Sequence, residues 1–198
     1  FYFLYLAELD YFLHLHADDR EAAARILEKY SAALARLHRI AEKTYGAAEI
    51  HVFGDHGMAP TEATIDIQGM LAGLPVKASR DYLCLLDSTM ARFWFFSPRA
   101  RELVTAALKD VDGGRWLDSD DLIALHAYFA DGKYGEQIFL TESGTVIAPC
   151  HMGVRAPAGM HGFLPSSPHS RSAFVSSVDY GDSLKQITDI FGVMKAHV

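Results

Sequence analysis

A near-continuous apolar run, Phe1-Tyr2-Phe3-Leu4-Tyr5-Leu6-Ala7, leads directly into Glu8-Leu9-Asp10, and this run constrains the fold more than anything else in the chain. A short, aromatic-rich apolar stretch predicts a strand over residues 1–9, buried on both faces of a parallel sheet. Over residues 18–45, Ala23, Ile26, Tyr30, Leu34, Leu37 and Ala41 recur at three- and four-residue spacing, which draws one apolar stripe along a helix. Asp18 or Asp19 can cap its start and Gly46 its end. Residues 49–53 then read as a short strand, broken by Gly54-Asp55-His56-Gly57. Strand, helix and strand at this spacing predict a βαβ unit and a parallel sheet. Domains seldom open inside a core strand, so the chain reads as the C-terminal part of something longer.

The remaining text fits one α/β domain over residues 1–198. Strands are expected at 82–86 and 91–96, with a helix at 99–109 opened by Pro98. Short helical pieces are expected around 120–129. Residues 137–140 and 145–148 read as a hairpin across Glu142-Ser143-Gly144, and a strand at 173–178 precedes a final helix at 183–191. Neither an internal repeat nor a linker interrupts this order.

Composition removes several classes of function. Half the residues are hydrophobic and 22% are charged, which excludes a disordered or low-complexity chain. The net charge is −7 with no run of Lys and Arg, which argues against a nucleic-acid polymer as partner. No apolar stretch has the length of a membrane segment. The two cysteines, Cys84 and Cys150, lie far apart, so no disulfide framework is expected. No G-x-S-x-G, H-E-x-x-H, P-loop or G-x-G-x-x-G occurs. What stands out is ten histidines, several of them beside carboxylates.

Three places put carboxylates and imidazoles at the ends of expected strands. Asp10 and His14 are four residues apart, so a helical turn there presents both on one face. Asp55 and His56 are adjacent between two glycines, where the backbone can turn sharply. His161 follows in Gly159-Met160-His161-Gly162-Phe163. In open α/β sheets ligands bind beyond the carboxyl ends of the strands, where the first two clusters fall. Carboxylate oxygen with imidazole nitrogen is the donor mix of zinc and similar divalent ions. Asp10, His14, Asp55, His56 and His161 exceed the three protein ligands of a typical catalytic zinc, which favours a two-metal site.

Bland readings suit the other candidates. His16 and Asp18 read as loop or cap residues, His51 as half-buried structure, and His126 and His169 as surface. Arg92, in a strand, is read equally as a phosphate contact or a paired structural arginine. Cys150, with His151 beside it, has no second soft ligand at metal spacing. Met58 and Met160 read as packing.

Taken in order, Glu8-Leu9-Asp10 to His14, Gly54-Asp55-His56-Gly57-Met58 and His161-Gly162-Phe163-Leu164-Pro165 resemble the type I phosphodiesterase/nucleotide pyrophosphatase family of the alkaline-phosphatase superfamily. The stretch from Tyr134-Gly135 to Ala148-Pro149 also looks like that family's approach to the last histidine. The resemblance implies an alkaline-phosphatase-like α/β three-layer sandwich, with a largely parallel sheet flanked by helices and its N-terminal part missing. It implies a phosphoric-ester hydrolase using two divalent ions, zinc or manganese, on a small phosphate-ester or nucleotide-like substrate. Asp10, His14 and His161 match the ligands of one ion; Asp55 and His56 match two ligands of the other. The family's remaining Asp and its Ser or Thr nucleophile precede the acidic motif, where this chain starts, so the fragment is expected to be inactive by itself. Gly54 stands where the family has Ser or Ala, a small-for-small exchange expected to be tolerated. A phosphomutase or sulfatase of the same superfamily, or a non-catalytic metal-binding remnant, are the alternative readings.

Overall fold

A computed structural model describes residues 1–196. Helix α1 (Glu8–Leu15) is followed by the long α2 (Arg20–Tyr45), whose first turn is capped by Asp19 Oδ1 accepting from Ala22 N at 2.9 Å. The expected helix at 18–45 therefore forms, starting two residues later. At its end Gly46 adopts φ +84° and donates its N–H to Glu42 O, the left-handed stop that glycine makes cheap. The two helices pack through the Tyr30 hydroxyl, which accepts from Leu9 N, and through a Lys29–Glu8 ion pair.

Short strands then frame the site: β1 (His51–Phe53), β2 (Ala59–Pro60) and β3 (Ala63–Ile65), followed by helix α3 (Ile67–Ala72). The largest sheet comprises β4 (Tyr82–Leu86), β5 (Met90–Phe95), β6 (Gly114–Leu117) and β7 (Gln137–Thr141), in spatial order β4-β5-β7-β6 and antiparallel throughout. Helix α4 (Pro98–Ala107), capped by Ser97 and begun by Pro98, lays Ala100 and Val104 against it. Helix α5 (Ser119–Ala124) is fixed by a capping box between Asp118 and Asp121. Strands β8 (Thr145–Ile147), β9 (Gly159–Met160) and β10 (Phe174–Ser176) and helix α6 (Asp189–Ala196) complete the described chain. The main core joins Phe93, Phe139, Ile67, Val104, Leu108 and Ile147, all at most 1% exposed.

Four expectations are corrected. Residues 1–7 form no strand; Phe1 is 68% and Tyr2 81% exposed, and helix begins at Glu8. An apolar strand needs neighbours on both edges and layers on both faces, and the described residues supply neither here. Consequently the βαβ unit is absent, and β1 pairs antiparallel with β10 instead. The only parallel pair among the described residues is β3 with β8. Residues 137–148 do not close on themselves as a hairpin: Gly144, at φ +91°, accepts at its carbonyl from Glu62 N and Ala63 N and carries β8 onto β3. Finally, the last helix spans 189–196 rather than 183–191, and Asp189 Oδ2 accepts from Lys185 N and Gln186 N in the turn that precedes it.

Candidate metal centre

Three segments far apart in sequence are tied together by backbone hydrogen bonds. On α1, one helical turn places Asp10 and His14 on the same face. The antiparallel pairing of β2 with β9, Ala59 opposite Met160, draws the Asp55-His56 turn alongside His161. Across β9 lies the end of α1, where Ala158 N donates to His14 O at 2.8 Å. Gly159 makes that approach feasible, since a Cβ there would meet Ala17 Cβ at 2.7 Å and Leu13 O at 2.8 Å. The turn before β2 is anchored from the other side: Gly54 N donates to Ala173 O, and the Ser172 hydroxyl donates to Gly54 O.

All five sequence-predicted residues meet in this place. Around Asp10 Oδ1 stand His14 Nε2 at 3.5 Å, His56 Nε2 at 3.8 Å and His161 Nε2 at 3.8 Å. Asp55 Oδ1 lies 3.5 Å from His56 Nε2, on the more exposed rim. The rings of His56 and His161 stack at 3.5 Å between centroids and 15° between planes, and His14 lies tilted 5.1 Å from His161. Asp10, His56 and His161 each offer one donor atom within 4.8 Å of the others, the only such group of three among the described residues.

Tautomers of the neutral rings follow from the partners of the opposite ring nitrogens. His14 Nδ1–H donates to Gly159 O at 2.8 Å and His56 Nδ1–H donates to Gly57 O at 2.9 Å, since a carbonyl can only accept. In the neutral ring this leaves an Nε2 lone pair facing Asp10. Burial pushes the His161 imidazole below its usual pKa, reinforced by His56 and His14 and opposed by Asp10 and Asp55. The neutral, ligating form of His161 is therefore favoured at neutral pH.

Asp10 Oδ1 itself is buried without a hydrogen-bond partner. Such an atom costs about 1–3 kcal/mol when left unsatisfied. The three imidazole nitrogens stand 3.5–3.8 Å away and make no hydrogen bond to it, and those of His14 and His56 present lone pairs in the neutral tautomer set by their carbonyl partners. A buried anionic oxygen ringed by imidazole lone pairs is an environment that a divalent cation satisfies.

Other candidates take structural roles. The His16 ring packs on Phe12 at 5.0 Å, and His51 pairs with Ser176 Oγ through Nδ1 at 3.0 Å. His126 is exposed, and His169 pairs with Ser143 Oγ at 3.0 Å. Arg92 Nε lies 3.2 Å from Met90 Sδ, and Cys150 Sγ lies 3.5 Å from Ser88 Oγ. Met160 packs with Ala59, Val146 and Phe163 as a small core under the site.

One contributor has no side chain to signal it. The Gly159 carbonyl orients His14, and its only signal was the glycine two residues before His161. Gly57 has a role of its own, because a Cβ there would fall 2.1 Å from His169 O and 2.5 Å from Arg171 O. Those are backbone atoms and cannot swing aside. Gly57→Ala is thus expected to destabilise the chain by about 1–3 kcal/mol, as overpacking does, and to weaken zinc binding by shifting His56. Urea denaturation with a parallel zinc titration checks this; an unchanged midpoint would show that the loop over Gly57 is not closely packed. At Gly54, by contrast, the nearest atom to an added Cβ would be the Ser172 hydroxyl at 3.2 Å, a side-chain atom rather than backbone.

A model of the family described as type I phosphodiesterase / nucleotide pyrophosphatase matches residues 1–162. No curated protein matches the chain. Among solved structures, murine ectonucleotide pyrophosphatase/phosphodiesterase 5 is similar with a TM-score of 0.71 at 16% identity, covering 88% of this chain and 46% of that one. The human protein of that name gives 0.71 at 15% identity, covering 87% and 46%. Phosphonoacetate hydrolase from Sinorhizobium meliloti 1021, in complex with phosphonoacetate, gives 0.67 at 18% identity, covering 96% and 50%. The chain therefore spans about half the length of the structures it matches, and it shares their alkaline-phosphatase-like mixed α/β fold. With the family model covering most of its length, the chain belongs to the type I phosphodiesterase/nucleotide pyrophosphatase family.

Proposed function

We propose that this chain carries the metal centre of a phosphoric-ester hydrolase of the phosphodiesterase/pyrophosphatase type, acting on a small phosphate ester or nucleotide-like substrate. The observation that carries the reading is Asp10 Oδ1, buried, unpartnered and faced by three imidazole nitrogens. In the full site Asp10, His14 and His161 would hold one divalent ion, and Asp55 and His56 would help to hold a second, zinc or manganese. When bound, such ions neutralise charge on phosphoryl oxygens and act as Lewis acids.

The chain's own residues prepare for that chemistry. Asp10 and Asp55 supply two formal negative charges, while the histidines add donors without adding charge. Carbonyl partners lock His14 and His56 in the tautomer that points Nε2 inward. Gly159 lets β9 close on the end of α1, and Gly57 lets the turn after His56 close on the backbone of His169 and Arg171. In this proposal the attacking Ser or Thr is contributed from outside these 198 residues. Support for the substrate class comes from relatives: an inactive variant of the murine protein was solved in complex with AMP, and the bacterial hydrolase with a phosphonate.

Equilibrium dialysis tests the reading. The zinc-loaded chain is expected to retain AMP and to release it when chelator strips the metal, with negligible turnover of bis-p-nitrophenyl phosphate. Equal AMP retention with and without zinc would refute the metal-centred reading. Zinc-dependent turnover that vanishes in His161→Ala would instead place the nucleophile within this chain.

A further inference from the structure

We propose that Ser176, His51 and Glu49 form a second hydrolytic site, which attacks neutral carboxylic esters through the Ser176 hydroxyl and works without a metal ion. The three come together because β1 and β10 run antiparallel with His51 directly opposite Ser176. Residues paired in this way put their side chains on one face of the ladder. Glu49, two residues before His51, falls on that face as well. The contact between His51 and Ser176 ties β1 to β10, and the same contact carries the chemistry. None of the three belongs to the cluster around Asp10.

His51 Nδ1 lies 3.0 Å from Ser176 Oγ, and His51 Nε2 lies 3.7 Å from Glu49 Oε2. A nucleophile within hydrogen-bond reach of a base, with a carboxylate behind that base, is the arrangement that activates a hydroxyl. The ring nitrogens exchange places relative to the common serine–histidine–aspartate order. A general base needs only a lone pair on the nitrogen that faces the hydroxyl. The Glu49 carboxylate favours the tautomer with hydrogen on Nε2, which leaves the Nδ1 lone pair toward Ser176. Ser176 Oγ already accepts from Val178 N at 2.9 Å, so its own hydrogen can point at Nδ1. Phe174, parallel to the imidazole at 6.4 Å, and Tyr180, tilted at 5.7 Å, hold the ring in place. Ser177 differs, because its Oγ accepts from Ile50 N at 2.9 Å and faces no base.

Beside Ser176 opens a cleft of about 540 Å³, lined among others by Phe174, Val178, Asp179, Tyr180 and Leu184. Aromatic and aliphatic walls suit an uncharged apolar group, and the Asp179 carboxylate opposes an anionic phosphate ester. In the reaction Ser176 Oγ bonds to the ester carbonyl carbon while its proton passes to His51 Nδ1. The carbon–oxygen bond to the alcohol then breaks, and the departing alkoxide takes that proton from His51. The acyl group stays on Ser176. Water next gives a proton to His51 as its oxygen bonds to the acyl carbon, and Ser176 Oγ leaves with that proton. Ester and water have become acid and alcohol.

Labelling of the 198-residue chain with an alkyl fluorophosphonate, in chelator, tests the proposal. The probe loses fluoride to an activated hydroxyl and leaves a phosphonyl group whose position peptide mass spectrometry reads directly. Chelator keeps the metal centre out of the result, so the two readings stand or fall separately. The label is expected on Ser176. The chain should also hydrolyse p-nitrophenyl acetate in chelator, and that rate should fall to the buffer level once Ser176 is labelled. His51→Gln should slow labelling by at least about 100-fold, the contribution of a general base, while Ser177→Ala leaves it unchanged. Circular dichroism melts establish that the variants are folded, and His51→Asn serves if the Gln variant is not. Glu49 is a positioning residue, so Glu49→Gln should slow labelling about tenfold with the melting temperature unchanged. No label, a label on another serine, or equal labelling in a folded His51 variant would overturn the proposal.

Discussion

Asp10→Asn is expected to lower zinc affinity by more than about 100-fold while leaving the metal-free chain as stable as before or more so. Substitutions that only disturb a ligand's orientation typically cost 10–100-fold in metal affinity, and Asp10 is the carboxylate that His14, His56 and His161 all face. An asparagine amide keeps the shape and removes the charge. In the metal-free state that charge is a liability, because Oδ1 is buried without a donor at a cost of about 1–3 kcal/mol. The two effects therefore have opposite signs. Calorimetric titration with zinc, paired with thermal denaturation in chelator, separates them. A variant that binds zinc normally, or whose metal-free form melts well below the parent, would mean that Asp10 serves the fold and not the metal.

The second large effect concerns the antiparallel sheet that backs the core. Phe93 is fully buried, stacked on Phe95 at 6.0 Å and tilted against Trp116 at 5.4 Å and Tyr82 at 6.4 Å. Phe93→Ala removes a ring that several rigid neighbours surround, so collapse into the space is limited. About 3–5 kcal/mol of stability should be lost, which at this size lowers the melting temperature by roughly 10 °C. Zinc affinity per folded molecule should be preserved. A loss below about 1 kcal/mol in urea denaturation would show that the sheet repacks and that the aromatic cluster is not what holds the core.

How much of this was legible in the sequence depended on whether the signal was local. The helix at Arg20–Tyr45 announces itself by its apolar stripe and its Asp19 and Gly46 ends, and it forms as read. Residues 82–86 and 90–95 carry enough aromatic and apolar character between turn residues to appear as strands in nearly the expected places. Pairing partners are a different matter, because they are set by residues distant in sequence. Nothing in residues 141–145 alone says that Gly144 will hand its carbonyl to Glu62 and Ala63 rather than close a hairpin. Likewise β1 finds β10, more than a hundred residues away, instead of a parallel neighbour.

The opening run shows the limit of composition. Apolar character at residues 1–7 is a statement about what those side chains need, namely flanking strands and covering layers. The described residues do not meet that need, and the chain leaves Phe1, Tyr2 and Tyr5 in contact with water. The site was more legible than the sheet order, because its residue types and spacing carry the chemistry directly. Asp10 with His14, Asp55 with His56, and His161 could be named as candidates before their convergence was known. Their grouping could not be named: His56 lies against His161 because β2 pairs with β9, a tertiary fact. The same holds for Gly159, whose carbonyl orients His14 without any side chain to signal it.

Asp10 and the histidines around it are proposed as a metal centre. Its most direct test is an anomalous difference map from crystals of the chain grown with zinc, recorded at the zinc edge. A peak is expected about 2.0–2.2 Å from Asp10 Oδ1 and from the Nε2 atoms of His14 and His161. Ordered zinc elsewhere in the crystal, with no peak among these residues, would contradict it.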